Sequence, residues 1–227
     1  KELAEVISKV LYPEDNHYEG KSLRLKQHYF FACATVQHIL REFKKEHADV
    51  RELPKYVAVQ INDTHPALAI PEMMRALMDE EGLSWEDAFR VCREVFAYTN
   101  HTVLSEALET WPVSLVQELL PRIWSILLEL NEALCKTLWY YYPNQWEKIG
   151  DMAIVAYNQV RMANLCVAVC NKVNGVSRLH ADILKRQVFR EFYLIRPDRF
   201  LGITNGITHR RWLMKANPEL AALITEA

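Results

Sequence analysis

Short apolar runs that end abruptly in polar residues constrain the fold of this chain more than any other feature. Residues 56–61 (YVAVQI) are rich in Val and Ile and stop at the polar segment NDTHP at 62–66. Residues 95–99 form a second such run, which stops at NHT at 100–102. Apolar runs followed by polar loops and then by helical patterns are typical of a parallel α/β layout. Because ligands of such folds bind at the carboxyl ends of the strands, we expect both polar clusters at a binding edge of the sheet.

Apolar residues at spacings of three and four predict that helices dominate the rest of the chain. These patterns cover residues 21–46, 85–96, 119–138 and 160–170. Pro121 is tolerated only near the first turn of the third helix. With 227 residues, half of them hydrophobic, the chain can bury a substantial core. We therefore predict an α/β fold that is rich in helix and has few parallel strands.

Charge, hydropathy and cysteine content exclude several classes of protein. The net charge of −2 gives no reason to expect nucleic acid or an anionic membrane as a partner. No apolar stretch reaches the roughly 18–20 residues that a membrane helix needs. Five cysteines without a CxxC pair predict free thiols and a cytoplasmic protein. Helical patterns run into both ends of the chain, so we expect a segment of a longer protein.

The segment at 62–66 has a structural and a functional interpretation. As a helix start, Asp63 or Thr64 would cap the helix and Pro66 would take its first turn. That interpretation explains neither Asn62 nor His65. The two interpretations stay open on the residues alone.

The segment at 100–102 has the chemistry of a hydroxyl-binding site. A lone histidine near an apolar segment is usually structural, but Asn100 and His101 together at a strand end can fix several hydroxyl groups. Sugars require such directional pairing. A metal site of His65, Glu72 and His101 matches neither HExxH nor a short His-x-His spacing, so we predict no metal site.

Two later segments have structural explanations. The Asn174-Gly175 pair is typical of a left-handed helix end, with Ser177 as the cap of the next helix. Asn205-Gly206 is typical of a turn. The adjoining Arg210 and Arg211 can bind phosphate or pair with surface carboxylates, and their spacing favours pairing. No Gly-rich phosphate loop or G-x-S-x-G elbow is present, so no catalytic residue can be assigned from spacing.

Six sequence blocks resemble the glycogen, starch and maltodextrin phosphorylases, in the order in which those proteins carry them. The blocks are residues 10–13 (VLYP), 23–27 (LRLKQ), 60–70 (QINDTHPALAI), 98–112 (YTNHTVLSEALETWP), 173–184 (VNGVSRLHADIL) and 204–213 (TNGITHRRWL). The resemblance covers essentially the whole chain. It implies a two-domain fold of the glycosyltransferase-B type, with Rossmann-like domains and the active site between them. Residues 1–204 would then be the latter part of the N-terminal domain, and residues 205–227 the start of the C-terminal domain.

The resemblance also implies an activity. The family phosphorolyses the non-reducing-end α-1,4 bond of a glucan with inorganic phosphate, which gives α-glucose 1-phosphate with retention. Its cofactor is pyridoxal 5′-phosphate, held by a lysine of the C-terminal domain that lies outside these residues. We therefore expect a homodimeric glycosyltransferase as the full-length protein and an inactive isolated chain. The alternatives are a nucleotide-sugar glycosyltransferase of the same architecture and a non-catalytic fragment that binds glucan or dimerises.

Individual site residues follow from the same resemblance. His101 and Asn205 are expected to contact the glucosyl ring. Asp63 and His65, with Glu106 and Glu109, are expected to line or support the glucan channel. None is expected to bind the cofactor. His28 departs from the pattern, since the family usually has Glu or Gln there, and Glu42 after Arg41 departs from the Arg-Arg pair of the animal enzymes, which favours a bacterial type.

Overall fold

The computed structural model describes residues 2–227, and its strands form two sheets. The strands are β1 (Val59–Asn62), β2 (Phe96–Thr99), β3 (Thr110–Pro112), β4 (Val155–Ala156), β5 (Gln159–Arg161), β6 (Val173–Gly175) and β7 (Phe200–Gly202). A parallel sheet has the order β1-β2-β6-β7, and a small antiparallel sheet has the order β3-β5-β4. The α/β class and the parallel pairing are confirmed.

Helices make up most of the remaining chain. They are α1 (Glu2–Lys9), α2 (Tyr18–Phe43), α3 (Ala69–Arg75), α4 (Trp85–Val95), α5 (Val113–Leu119), α6 (Pro121–Tyr141), α7 (Trp146–Met152), α8 (Met162–Val169), α9 (Arg178–Ile183), α10 (Arg190–Ile195), α11 (His209–Ala216) and α12 (Pro218–Glu226). Short π-helical segments, Ala76–Glu80 and Leu184–Val188, directly continue α3 and α9. Within the described residues, no helix is long and apolar enough to cross a membrane.

Local signals set the ends of several helices. Ser84 Oγ accepts a hydrogen bond from the Asp87 backbone N–H (3.1 Å) and so caps α4. Pro121 occupies the first turn of α6, where its missing N–H costs nothing. Ser177 caps α9 through the His180 N–H (3.0 Å). These predictions are confirmed.

Register places the polar strand ends side by side. Asn62 at the end of β1 is the partner of Thr99 at the end of β2, and Thr99 is the partner of Asn174 in β6. Gly175 in turn pairs with Gly202 at the end of β7. The loops that follow all four strands therefore begin at the same edge of the sheet.

Several boundaries differ from the sequence predictions. Residue 160 belongs to β5 and not to a helix, because β5 pairs with β3 and β4. Asn174 and Gly175 form a strand and not a helix end, because β2 and β7 flank them. The helix after the first polar cluster begins at Ala69 and not at Pro66, and no side chain caps it. Arg210 and Arg211 form no ion pair with a carboxylate within residues 2–227.

One apolar core joins the parallel sheet to its helices. The strands contribute Ile61, Phe96, Tyr98 and Val173, each at most 1% exposed. Helices α2, α3, α4 and α6 cover the core, and their inward residues follow the predicted helical spacing. All five cysteines are free thiols. The core thus fixes the strands whose carboxyl ends carry the polar clusters.

Candidate functional site

His101 lies exposed in the loop that follows β2, and a neighbouring strand end fixes its ring. Its Nε2 lies 2.7 Å from Oδ1 of Asn62, the last residue of β1. Because a carbonyl oxygen can only accept, the neutral ring carries its proton on Nε2. Nδ1 is left to accept a hydrogen bond from a ligand.

Asp63 links the loops that follow β1 and β2. Its φ of 56° lies in the left-handed region, which Asp adopts more readily than most residues. Its backbone N–H donates to the Thr99 carbonyl (2.8 Å), so β1 stays paired to β2 up to the turn. Its carboxylate accepts from the Thr64 N–H (2.7 Å) and from the Thr102 hydroxyl (3.2 Å). The carboxylate therefore holds both loops.

Glu109 is the centre of a second polar cluster. Its Oε2 accepts from the Thr64 hydroxyl (2.8 Å) and lies 3.5 Å from His65 Nδ1. Its Oε1 lies 3.2 Å from Nδ1 of His28, which α2 supplies. Burial alone would raise the pKa of the Glu109 carboxyl, but the contacts with His28 and His65 outweigh burial and hold that pKa well below its usual range. Contact with Glu109 raises the pKa of His65, and burial only partly offsets that effect.

A cavity of about 240 Å³ lies between these two clusters. Asp63, His65 and Glu109 line one part of it, and Asp15, Lys21 and Arg24 line another. The lining therefore mixes carboxylates, cations and an imidazole, together with the hydroxyl-bearing Thr102. Such a mixture can both donate hydrogen bonds to hydroxyl groups and accept them, which suits a polyhydroxyl ligand.

A hydrogen-bonded row of side chains supports the site across three strands. Gln60 Nε2 donates to Thr99 Oγ1 (2.8 Å), and Thr99 Oγ1 donates to Asn174 Oδ1 (2.8 Å). Fully buried Asn100 accepts from the Thr102 N–H (2.9 Å) and from His180 Nε2 (3.1 Å). The loop that carries His101 is thus tied to β6 and α9.

The structure brings together only some of the predicted site residues. Asp63, His65 and Glu109 line the cavity, and His101 sits in the adjacent loop. Glu106 is exposed in the turn Ser105–Ala107 and makes no hydrogen bond within the described residues. Asn205 is also exposed, and its backbone N–H donates to the Val176 carbonyl (3.1 Å) just beyond β6. Neither Glu106 nor Asn205 lines this cavity.

Sequence reasoning gave no role in the site to His28, Trp111 or His180, and it predicted Asn100 as a hydroxyl-binding residue, whereas Asn100 is fully buried. His28 reaches Glu109 from α2, and Trp111 packs edge-on against His28 with ring centroids 5.6 Å apart. Asn100 and His180 form the buried support of the His101 loop. The sequence blocks that resemble the phosphorylases contain all of these residues except His28. No sequence pattern, however, shows which residues from different elements come into contact.

Comparisons with known proteins give a consistent result. Residues 1–227 match the family model described as Carbohydrate phosphorylase. The chain is 52% identical to the glycogen phosphorylase of Bacillus subtilis (strain 168). It is 48% identical to the muscle form of glycogen phosphorylase from Bos taurus and 47% identical to that from Homo sapiens. Each comparison covers 100% of this chain and 28% of the relative, so the chain spans about 28% of the length of these curated relatives.

Proposed function

This chain belongs to the carbohydrate phosphorylase family, and we propose that it is the glucan-holding segment of an α-1,4-glucan phosphorylase. The full-length protein would cleave the terminal α-1,4 bond at the non-reducing end with inorganic phosphate and release α-glucose 1-phosphate. One observation carries the proposal. Asp63, His65 and Glu109, which the family resemblance assigns to the glucan channel, line one cavity at the carboxyl ends of a parallel sheet.

His101 is the residue of this chain best arranged to orient the terminal sugar. Asn62 fixes its ring through Nε2, which leaves Nδ1 to accept a hydrogen bond from a sugar hydroxyl. Asn205 can add an amide contact from the loop beyond β7. Glycosyl transfer passes through an oxocarbenium-like state, in which hydrogen bonds that hold the ring strengthen. In this proposal, the residues of this chain bind and orient the sugar, and none transfers a proton.

The cavity does not fit the cofactor that the family resemblance implies. When bound, pyridoxal 5′-phosphate supplies a phosphate group that relays a proton in this family. The carboxylates of Asp15, Asp63 and Glu109 line the cavity beside only two permanent cations, Lys21 and Arg24. A phosphate dianion would be repelled there. We therefore propose that the cofactor and its lysine belong to a part of the protein beyond residues 1–227.

The exposure of the last residues supports a division into two domains. Helices α11 and α12 contribute no buried residue. Several of their large apolar residues, including Trp212 and Leu223, are more than half exposed. We propose that residues 1–204 belong to the N-terminal domain and residues 205–227 begin the C-terminal domain of a glycosyltransferase-B-type fold. A cytoplasmic homodimer is proposed from the family resemblance.

A chimera tests this function. Residues 1–227 would replace the matching segment of the Bacillus subtilis relative. With a maltooligosaccharide and pyridoxal phosphate, the chimera should release glucose 1-phosphate only when inorganic phosphate is present. His101→Ala should lower kcat/KM by about 100-fold, because a sugar-directed hydrogen bond is lost in the transition state. His38→Ala, which removes an exposed histidine on α2, should leave the activity unchanged.

A non-catalytic glucan-binding role is the second candidate, because the cavity lies entirely within the described residues. A folded chimera with bound cofactor that binds maltooligosaccharide and forms no product would favour this role. Full activity of the His101→Ala chimera would contradict the proposal that His101 orients the terminal sugar.

A further inference from the structure

His28, His65 and Glu109 converge from three separate segments of the chain. α2 supplies His28, the loop after β1 supplies His65, and the segment directly before β3 supplies Glu109. One ligating atom from each side chain lies within 4.8 Å of the other two. The His28 side chain is the more enclosed of the two imidazoles. It is 16% exposed, whereas the His65 side chain is 62% exposed.

Two of the separations between ligand atoms are close to those around a small divalent ion. Bonds of about 2.0–2.2 Å from nitrogen and oxygen to tetrahedral zinc place neighbouring ligand atoms about 3.3–3.5 Å apart. His28 Nδ1 lies 3.2 Å from Glu109 Oε1, and His65 Nδ1 lies 3.5 Å from Glu109 Oε2. The imidazole nitrogens, no more than 4.8 Å apart, would have to approach by at most about 1.5 Å. Rotation of the exposed His65 can supply that movement.

The Glu109 carboxylate also has an unused ligand atom. Oε1 is buried and has no aligned hydrogen-bond donor within the described residues, although His28 Nδ1 is close. A buried oxygen in this state is uncommon. Nδ1 of His28 and Oε1 of Glu109 are therefore close together without forming an aligned hydrogen bond. A bound cation satisfies both atoms at once.

The surroundings complete the requirements of a metal site. The Thr64 hydroxyl donates to Glu109 Oε2 (2.8 Å), and the Trp111 ring packs edge-on against His28, so two ligands are held in place. The cavity of about 240 Å³ beside His65 and Glu109 provides an entry path and room for water. Its permanent charges, the carboxylates of Asp15, Asp63 and Glu109 against Lys21 and Arg24, sum to −1.

We propose that His28, His65 and Glu109 bind one Zn²⁺ ion, with water as the fourth ligand. Two imidazoles and one carboxylate suit zinc, whereas magnesium and calcium prefer oxygen ligands alone. The site does not depend on the proposed phosphorolysis, although it shares His65 and Glu109 with the glucan cavity.

Metal titration of the chain tests the proposal. The chain would first be freed of metal with a chelator and then titrated with Zn²⁺ in competition with a chromophoric chelator. We expect one tight site per chain. His28→Gln and His65→Gln should each weaken Zn²⁺ binding at least about tenfold, since each removes one of three protein ligands. His38→Gln, on the same helix as His28 but exposed, should keep the original affinity. Mg²⁺ should not compete.

Co²⁺ identifies the ligands directly. The visible bands of four-coordinate Co²⁺ should appear with the original chain and with His38→Gln, and should be lost with His28→Gln. Far-UV circular dichroism checks that each variant folds, and the exposed His65 offers a variant with little effect on packing. Equal Zn²⁺ affinity of the original chain and His28→Gln would overturn the proposal. A near-ultraviolet thiolate-to-cobalt band would also overturn it, because the ion would then be bound by cysteine.

Discussion

Asn100 and His180 form a buried polar pair that supports the loop carrying His101. Asn100 is fully buried; its Nδ2 donates to the Tyr98 hydroxyl (3.0 Å), and its Oδ1 accepts from His180 Nε2 (3.1 Å). His180 Nδ1 accepts from the Val176 backbone N–H (3.2 Å), so the proton of the neutral ring lies on Nε2. Both ring nitrogens are thus satisfied only when His180 is neutral. Burial, and then the nearby His101, lower the pKa of His180.

This arrangement predicts a loss of stability in mild acid. Because the pKa of His180 is lower in the folded chain, the unfolded chain takes up this proton first as the pH falls through about 6.5. The contribution of neutral His180 to the free energy of unfolding is therefore present above that pH and is lost below it. The slope of this loss is at most about 1.4 kcal/mol per pH unit. His180→Gln should reduce the loss between pH 7 and pH 5, measured by urea unfolding at each pH. The His38→Gln control should keep the original slope, and an unchanged slope in His180→Gln would contradict the assignment.

Strand β6 shows how neighbouring elements override a local signal. Asn174-Gly175 favours a helix end, yet the segment is extended because β2 and β7 pair with both of its sides. Residue 175 must also be a glycine, because α9 approaches the backbone of β6 closely at this position. A Cβ at Gly175 would lie 2.8 Å from the backbone N and 3.0 Å from the Cα of Ala181. No sequence pattern reveals that contact, because it arises only when α9 packs back on the sheet.

Gly175→Ala should therefore destabilise the chain by about 1–3 kcal/mol, since the added methyl group meets backbone that cannot move freely. Gly206→Ala is the matched control, because no atom lies within 4 Å of the position of a Cβ there. It should change the free energy of unfolding by less than about 0.5 kcal/mol. Chemical denaturation measures both values. Equal stability of the two variants would show that α9 can shift away from β6.

At the scale of the whole molecule, most of the chain is well packed and its last 25 residues are not. The core includes residues of α2 to α6, of α8 and of β7, whereas α11 and α12 pack on each other and bury no residue. Exposed apolar residues such as Ile207, Trp212 and Leu223 form surface that a further domain would cover. This surface supports the proposed domain boundary.

The isolated chain should be inactive and should not hold pyridoxal phosphate stoichiometrically, since the family resemblance implies that the cofactor lysine lies outside these residues. Absorbance of the dialysed chain after incubation with the cofactor measures binding, and release of glucose 1-phosphate measures activity. The Bacillus subtilis relative, treated in the same way, is the positive control. One cofactor per isolated chain after dialysis would contradict the prediction.

Local patterns in the sequence determined the elements that depend on local contacts. Helices α2, α4 and α6 follow from apolar spacing, from the Ser84 cap and from Pro121 in the first turn of α6. Strands β1 and β2 follow from apolar runs, although β1 begins at Val59, three residues later than predicted. The polar clusters were correctly expected at strand ends, because a parallel sheet brings those ends to one edge.

Only the tertiary structure decided which of these residues act together. The partners of Glu109 come from α2 and from the loop after β1, and Asn100 meets His180 across β6. The sequence test for a metal site compared His65, Glu72 and His101 with motifs of closely spaced ligands, and such motifs cannot show ligands that separate elements bring together. Strands β3 to β7 have two or three residues each, so pairing with partners distant in sequence, rather than their own composition, makes them strands. Distances between side chains from separate elements arise only when the core has closed, and they decide the chemistry of the cavity.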